Sequence, residues 1–396
     1  MKVHAAVAAA LVLLLVATGA YGAGMLQVQD NPARSVKDLS GIWRFKRWWL
    51  RPLAAPLLHM PVPASYNDIT QDNELRRHIG WVWYERDFFV PHTWVSTGQR
   101  IVLRFESVSY AASVWVDGTA VVSHAGGHLP FEADITQLVK GTARSRLTVA
   151  VNNTLTPFTL PPGNVRVEHG PRYPKGYTVQ ETHFDFFNYA GIDREVYLYT
   201  TPSQWIDDIT LTYDIQLNGD ASVNYEYALT LWQPGKPYLY TLEVTADDDV
   251  YHLRSVGIRT IKVSGTQFLI NGKQFYFHGV DKHEDSDIRG KGVDDVIVVK
   301  DYNMLQWLNV SAYRTSHYPY APQFYDMADE RGIVIIDECP AVGLAKALYF
   351  NPTTLVHHKQ VMYEMIRRDK NHPSVVMWNV ANKLRSDMHV AYNSWM

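Results

Sequence analysis

A chain of 396 residues, 46% hydrophobic and 19% charged, is long enough for two or three domains that each bury a core. Its formal net charge of -3 provides no basic surface to neutralise phosphates, which excludes nucleic acid and anionic membranes as expected partners. Aromatic residues reach 13%, a supply suited first to β-sandwich cores and second to stacking on sugar rings.

Lys2, the apolar run Ala5 to Val16 and the small residues Thr18, Gly19, Ala20 and Gly22 predict a secretory signal peptide over 1–22. That run is too short to span a bilayer, and no other apolar run reaches the ~20 residues a membrane helix needs. The predicted destination is the secretory pathway. In that compartment Asn152-Asn153-Thr154 and Asn309-Val310-Ser311 are acceptor sequons, so Asn152 and Asn309 are candidate glycosylation sites. A single cysteine, Cys339, precludes an intramolecular disulfide and follows the apolar run Ile333 to Ile336, where a buried inert thiol is expected.

From about Leu39 to Thr200, short alternating segments such as Trp81 to Arg86, Ile101 to Phe105 and Ser113 to Val116 before Asp117-Gly118 predict an antiparallel sandwich. A second β-rich stretch, about 202–263, includes Tyr238 to Val244. It is short for an immunoglobulin-like sandwich of about 100 residues, and its alternation breaks near Leu229 to Pro234.

Past Phe268 the pattern becomes β/α: strand Phe275 to Val280, helix Asp294 to Leu308, strand Ser311 to Arg314, helix Gln323 to Arg331, strand Ile333 to Ile336, helix His357 to Arg368 and strand Val375 to Val380. These four strands are about half of an eight-stranded barrel, and half a barrel has two open parallel edges.

Reactive groups in such a barrel sit at the carboxyl ends of its strands. His278 to Asp285 follows no compact zinc spacing, and polar groups there suit a hydroxylated ligand equally well. Neither a metal nor another cofactor is expected. Ser316 and His317 are adjacent, without the geometry or the Gly-x-Ser-x-Gly elbow of a serine hydrolase.

Asp369-Lys370-Asn371-His372-Pro373-Ser374-Val375-Val376-Met377-Trp378 followed by Asn382 resembles the acid/base signature of glycoside hydrolase family 2. Arg314-Thr315-Ser316-His317-Tyr318-Pro319 resembles the family's other signature, with Ser311 where the usual leading Asn stands. Phe184 to Gly191, Phe277 to Asp285 and Asn67-Asp68-Ile69 resemble its β-glucuronidase branch.

The resemblance implies a jelly-roll-like sugar-binding β-sandwich (25–200), an incomplete immunoglobulin-like β-sandwich (201–263) and the first half of a (β/α)8 TIM barrel (264–396). It implies retaining hydrolysis of terminal β-D-glucuronic acid from glycosaminoglycans and glucuronide conjugates, in the lysosome or outside the cell, and a homo-oligomer. Carried over by position, Asp185 is a sugar-hydroxyl ligand, His283 a first-strand sugar contact and Asn382 the Asn preceding the acid/base. By residue type alone Asp185 equally suits a turn cap and His283 a satisfied interior histidine.

Retaining hydrolysis needs two carboxyl groups about 5–5.5 Å apart. Lys383 occupies the acid/base position and Leu384 stands for the family's Pro, while the nucleophilic Glu belongs after a seventh strand and the sequence stops after the fourth. A lysine with an ordinary pKa near ~10.4 is a poor proton donor at acidic or neutral pH. The expectation is a chain of glucuronidase lineage without turnover. The alternatives are a secreted non-catalytic carbohydrate-binding module or a non-functional splice or gene-model product. In-frame losses between Lys46 and Trp48 and near Thr230 to Leu231 point the same way. Glu284 and Glu338, also near strand ends, are candidates for a replacement carboxylate pair, but the missing strands would also have to carry the groups that recognise the glucuronate carboxylate.

Overall fold

A computed structural model of the chain describes residues 25–47, 58–213 and 230–383. The expected signal peptide, Trp48 and Leu384 lie outside the described residues, while Lys46, Thr230 and Leu231, which flank the expected internal losses, lie within them.

Two antiparallel sheets face each other in the amino-terminal domain. One has six strands in the order Leu58–Val62, Gly41–Arg47, Trp81–Phe88, Ser145–Asn152, Ala111–Val116 and Thr119–Ala125. The other has four: Val36–Asp38, Val196–Thr201, Arg100–Phe105 and Phe131–Asp134. Period-two alternation sends Val82, Tyr84 and Phe88 inward and turns Trp83, Glu85 and Asp87 outward. Tyr84 pairs with Phe45 on one side and Val149 on the other, and its ring meets that of Phe45 edge-on at 4.9 Å. Leu103, Phe105 and Leu198 close the core from the second sheet. The Asp117-Gly118 turn has φ of 48 and 82, the two positive values of the tight hairpin expected there.

Within 201–263 the described residues form a hairpin, Tyr240–Ala246 with Asp249–Val256, shifted two residues later than the expected strand. Buried Asp249 anchors it by an ion pair to Arg34 and by accepting the Ile206 N–H at 2.8 Å.

Four parallel strands follow in chain order: Gly279–Lys282, Ala312–Thr315, Val334–Glu338 and Val375–Asn379. Helices Asp295–Trp307, Pro322–Arg331 and Pro352–Asp369 connect them. Asp294 caps the first helix through Val296 N, and Asn351 caps the third through Thr354 N with Pro352 next, which is why it starts well before His357. Gly332, at φ 67, ends the second.

The first strand begins later than expected because Phe275 and Phe277 are drawn elsewhere. With Phe268, Trp232 and Ile270 they pack under Ala312 and Val334, sealing the amino-terminal end of the strands. A small unanticipated sheet, Ile261–Ser264, Gln267–Ile270 and Lys273–Gln274, frames that plug. Gly279 is required where the strands meet, since a Cβ there would lie 2.8 Å from the Ala312 carbonyl oxygen.

Candidate functional site at the carboxyl ends of the barrel strands

The open end of the parallel sheet faces a loop of the sandwich domain that carries Phe184 to Asn188. Phe186 stands at the junction, its ring 6.2 Å from His317, 6.1 Å from His283 and 5.3 Å from Tyr318. Behind it, Gly343 after the third strand approaches His183 so closely that a Cβ would sit 2.8 Å from its carbonyl oxygen. The sandwich therefore supplies one wall of the site.

His317, after the second strand, is the hub. Its Nδ1 lies 3.0 Å from Glu338 Oε1 and 2.7 Å from the side-chain amide of Asn382, while Nε2 faces Asp185 Oδ1 at 3.6 Å. Both contacts converge on Nδ1: the Asn382 Nδ2 amide donates to it when it is bare, and it donates to Glu338 when it carries the proton, so the ring's tautomer selects between the two partners. Glu338 is wholly buried and also pairs with Arg314 Nε at 2.7 Å. Asn382 is held by its backbone: its N–H donates to Ala341 O at 3.0 Å, and its carbonyl accepts Gly343 N at 3.2 Å.

Lys383 follows with a left-handed φ of 53, and its Nζ reaches Asp185 Oδ2 at 2.9 Å. The Lys383 hydrogen bond holds the Asp185 carboxyl below its ordinary range. Partial desolvation lowers the His283 imidazole from its usual value, which favours the neutral ring that donates from one nitrogen and accepts at the other.

The structure thus brings Asp185, His317, Asn382 and Lys383 into contact and sets His283 beside them, its ring 5.7 Å from that of His317. The suggested Glu284–Glu338 pair does not form. Glu284 is turned to fully buried Arg194 at 3.2 Å and accepts the Ala321 N–H at 2.9 Å, while Glu338 is committed to Arg314 and His317. Sequence reasoning assigns no role to Arg314, Phe186 or His317; their position at strand ends and in the facing loop was the available signal.

The Asn152 sequon touches the facing loop, with Asn188 Nδ2 donating to Asn153 O at 3.2 Å. Asn152 is on the outer sheet face opposite Trp81, its Oδ1 accepting the Thr154 N–H at 3.0 Å, and Asn309 is exposed after the first barrel helix. Cys339 is fully buried, and burial pushes its thiol up.

Among the described residues, the one compact group of metal-ligating type is Asp326, Asp329 and His372, at the opposite end of the strands. Asp329 already accepts Ser374 N at 2.9 Å and binds His372 Nδ1 at 2.6 Å. Burial alone would depress His372; the Asp329 carboxylate overrides it and the imidazole is pushed up to about 9. An imidazolium–carboxylate pair is a structural clasp.

Comparison with known proteins accounts for this arrangement. Residues 55–202 match the glycosyl hydrolases family 2 sugar binding domain, and residues 261–393 its TIM barrel domain. The chain is 47% identical over 434 residues to the β-glucuronidase of Homo sapiens, covering 93% of this chain and 67% of that protein. It belongs to the β-glucuronidase group of glycosyl hydrolase family 2. The rat enzyme is likewise 47% identical, over 93% of this chain and 66% of its own length. The chain spans about two thirds of the curated relatives it matches. Because the human alignment is longer than this chain's 396 residues, that relative carries internal residues absent here.

Among solved structures, the β-D-glucuronidase of Dictyoglomus thermophilum superposes with a TM-score of 0.86 at 41% identity, covering 93% of this chain and 71% of that one. The Bifidobacterium dentium β-glucuronidase, solved with coumarin-3-O-glucuronide, gives 0.83 at 39%, covering 91% and 70%.

Proposed function

We propose that the mouth formed by Asp185, His283, His317 and Asn382 recognises terminal β-D-glucuronic acid on glucuronides or glycosaminoglycan ends, and that this chain binds such ligands without hydrolysing them. The observation that carries the reading is Lys383. Asp185, His317 and Asn382 gather at one mouth, which supports the reading as a hydroxyl-binding set, yet the residue after Asn382 is an ammonium bound to Asp185 instead of a carboxyl group. An ammonium is a poor proton donor to a departing glycosidic oxygen and offers no base to activate water afterwards. Glu284 and Glu338 are engaged by Arg194, Arg314 and His317.

On this reading Asp185 and His283 hydrogen-bond sugar hydroxyls, Phe186 backs the ring, and the Lys383 ammonium adds a cation beside an anionic sugar. A signal-peptide-like leader and two sequons support residence in the secretory pathway, in the lysosome or outside the cell. The test uses the purified chain with 4-nitrophenyl β-D-glucuronide: saturable binding by calorimetry without release of nitrophenol is expected. Turnover that disappears in Glu338→Gln would overturn the claim of binding alone.

A further inference from the structure

The two most exposed large apolar side chains among the described residues are Trp307 at 83%, two residues before Asn309, and Tyr276 at 81%, on a segment hydrogen-bonded to Asn309 and Ser311. Trp307 ends the first barrel helix; Tyr276 belongs to a segment tied to Asn309 and Ser311, with His278 Nδ1 bonded to the Asn309 carbonyl at 2.9 Å and Ser311 Oγ donating to Tyr276 O at 3.3 Å. Leu308 and Met304, each about half exposed, extend the patch. Contiguous exposed apolar patches mark surfaces that bind something.

Asn309 is built as a rigid, outward acceptor. It occupies the left-handed position after the helix, φ 54, with its N–H on Gln306 O at 3.0 Å and the Val310 N–H on Leu305 O at 2.9 Å, the paired bonds that finish a helix. The backbone is thereby satisfied, while the exposed side chain forms no hydrogen bond among the described residues. An Asn suits such a left-handed cap by itself; the exposed aromatics beside it and Ser311 two residues on are the independent observations.

We infer that Asn309 carries an N-linked glycan whose first sugars lie against Trp307 and Tyr276. The amide nitrogen of Asn309 forms a bond to C1 of the sugar of a lipid-pyrophosphate-linked oligosaccharide and loses a proton, while the bond from C1 to the pyrophosphate oxygen breaks and the lipid pyrophosphate departs. The apolar faces of the attached sugars then cover the aromatic rings, and their hydroxyls face water. The inference rests on the secretory reading proposed above.

The experiment is expression of the full chain in animal cells, followed by glycopeptide mass spectrometry of both sequons. Sugar on Asn152 and Asn309 is expected, with the electrophoretic shift of a single glycan lost in Asn309→Gly, a change that keeps the left-handed cap. Dye that reports apolar surface should bind more to Asn309→Gly than to the parent, and Trp307→Ala should cancel the increase. Sugar on Asn152 alone overturns this inference and leaves the secretory reading standing; sugar on neither overturns both. Equal dye binding by parent and Asn309→Gly, or a dimer of the same stability with and without the glycan, overturns the covering of Trp307 and assigns that face to a second copy.

Discussion

Arg194 is the perturbation that tests how the sandwich holds the barrel end in place. Its guanidinium is fully buried and donates to His128 O at 2.7 Å and Pro319 O at 2.8 Å while pairing with Glu284 at 3.2 Å. Glu284 in turn accepts the N–H of Ala321, the residue that starts the second barrel helix. Arg194→Met fills most of the volume but leaves a buried carboxylate with one backbone donor, the Pro319 carbonyl unpaired and His128 O with only the long 3.5 Å contact from Arg368. Removing one partner of a buried pair costs about 3–5 kcal/mol, and each orphaned acceptor adds about 1–3 kcal/mol before relaxation. With methionine packing offsetting part of that, a net loss of about 4 kcal/mol is expected, which for domains of this size lowers Tm by about 8–16 °C. Melts followed by tryptophan fluorescence read it. The double variant Arg194→Met/Glu284→Gln should recover at least about 2 kcal/mol relative to the sum of the single changes, because the charge is no longer stranded. A fall in Tm under about 2 °C, or strict additivity in the double variant, would refute the reasoning.

His372 provides a pH test of the clasp at the far end of the strands. Its folded value near 9 lies above the ordinary 6.5, so its contribution, up to about 3 kcal/mol, is fully present below pH 6.5 and lost as pH rises through 9. Tm of the parent should therefore fall across that window, and His372→Gln should flatten the fall; a parallel decline in both would discount the clasp. Cys339, buried with its thiol pushed up, should resist iodoacetamide in the folded chain at pH ~8 and react fully in urea. Labelling of the native chain at the rate of a free thiol would contradict that burial.

The barrel half was legible because its strands are short apolar runs set between strong helix caps. Asp294 and Gly332 each mark a boundary with a mechanism close to the expected helix ends, whereas the Asn351-Pro352 cap was passed over and the third helix starts at Pro352 instead of His357. The first strand was misplaced because Phe275 and Phe277 satisfy strand patterning but bury more area in the plug beneath the sheet. The three-stranded sheet in that region stayed hidden since its strands are two to four residues long and largely exposed. At the site, Asp185 and Asn382 were reachable from motif position. The floor was not: His317 and Glu338 are separated by 21 residues, Asp185 and Lys383 by 198, and no local pattern encodes such pairings.

Lys383 is where lineage and chemistry diverge, and its geometry allows a last test. The Asp185–Lys383 pair is exposed on both sides, with side chains 61% and 48% accessible, so it adds under about 1 kcal/mol to stability and can be displaced by a ligand. Its electrostatic effect is local: the Lys383 hydrogen bond is the foremost cause holding Asp185 below the ordinary carboxyl range. Lys383→Glu removes that donor and sets a second carboxylate against the first, which raises the proton affinity of both. Because the backbone of Asn382 is fixed to Ala341 and Gly343, the new carboxylate cannot swing far away. The acid limb of β-glucuronide binding, which for the parent sets in only below the ordinary Asp range, should then move to higher pH with Tm nearly unchanged. An acid limb that stays in place in Lys383→Glu would mean that Asp185 does not sense residue 383, and the ion pair would lose its part in ligand recognition.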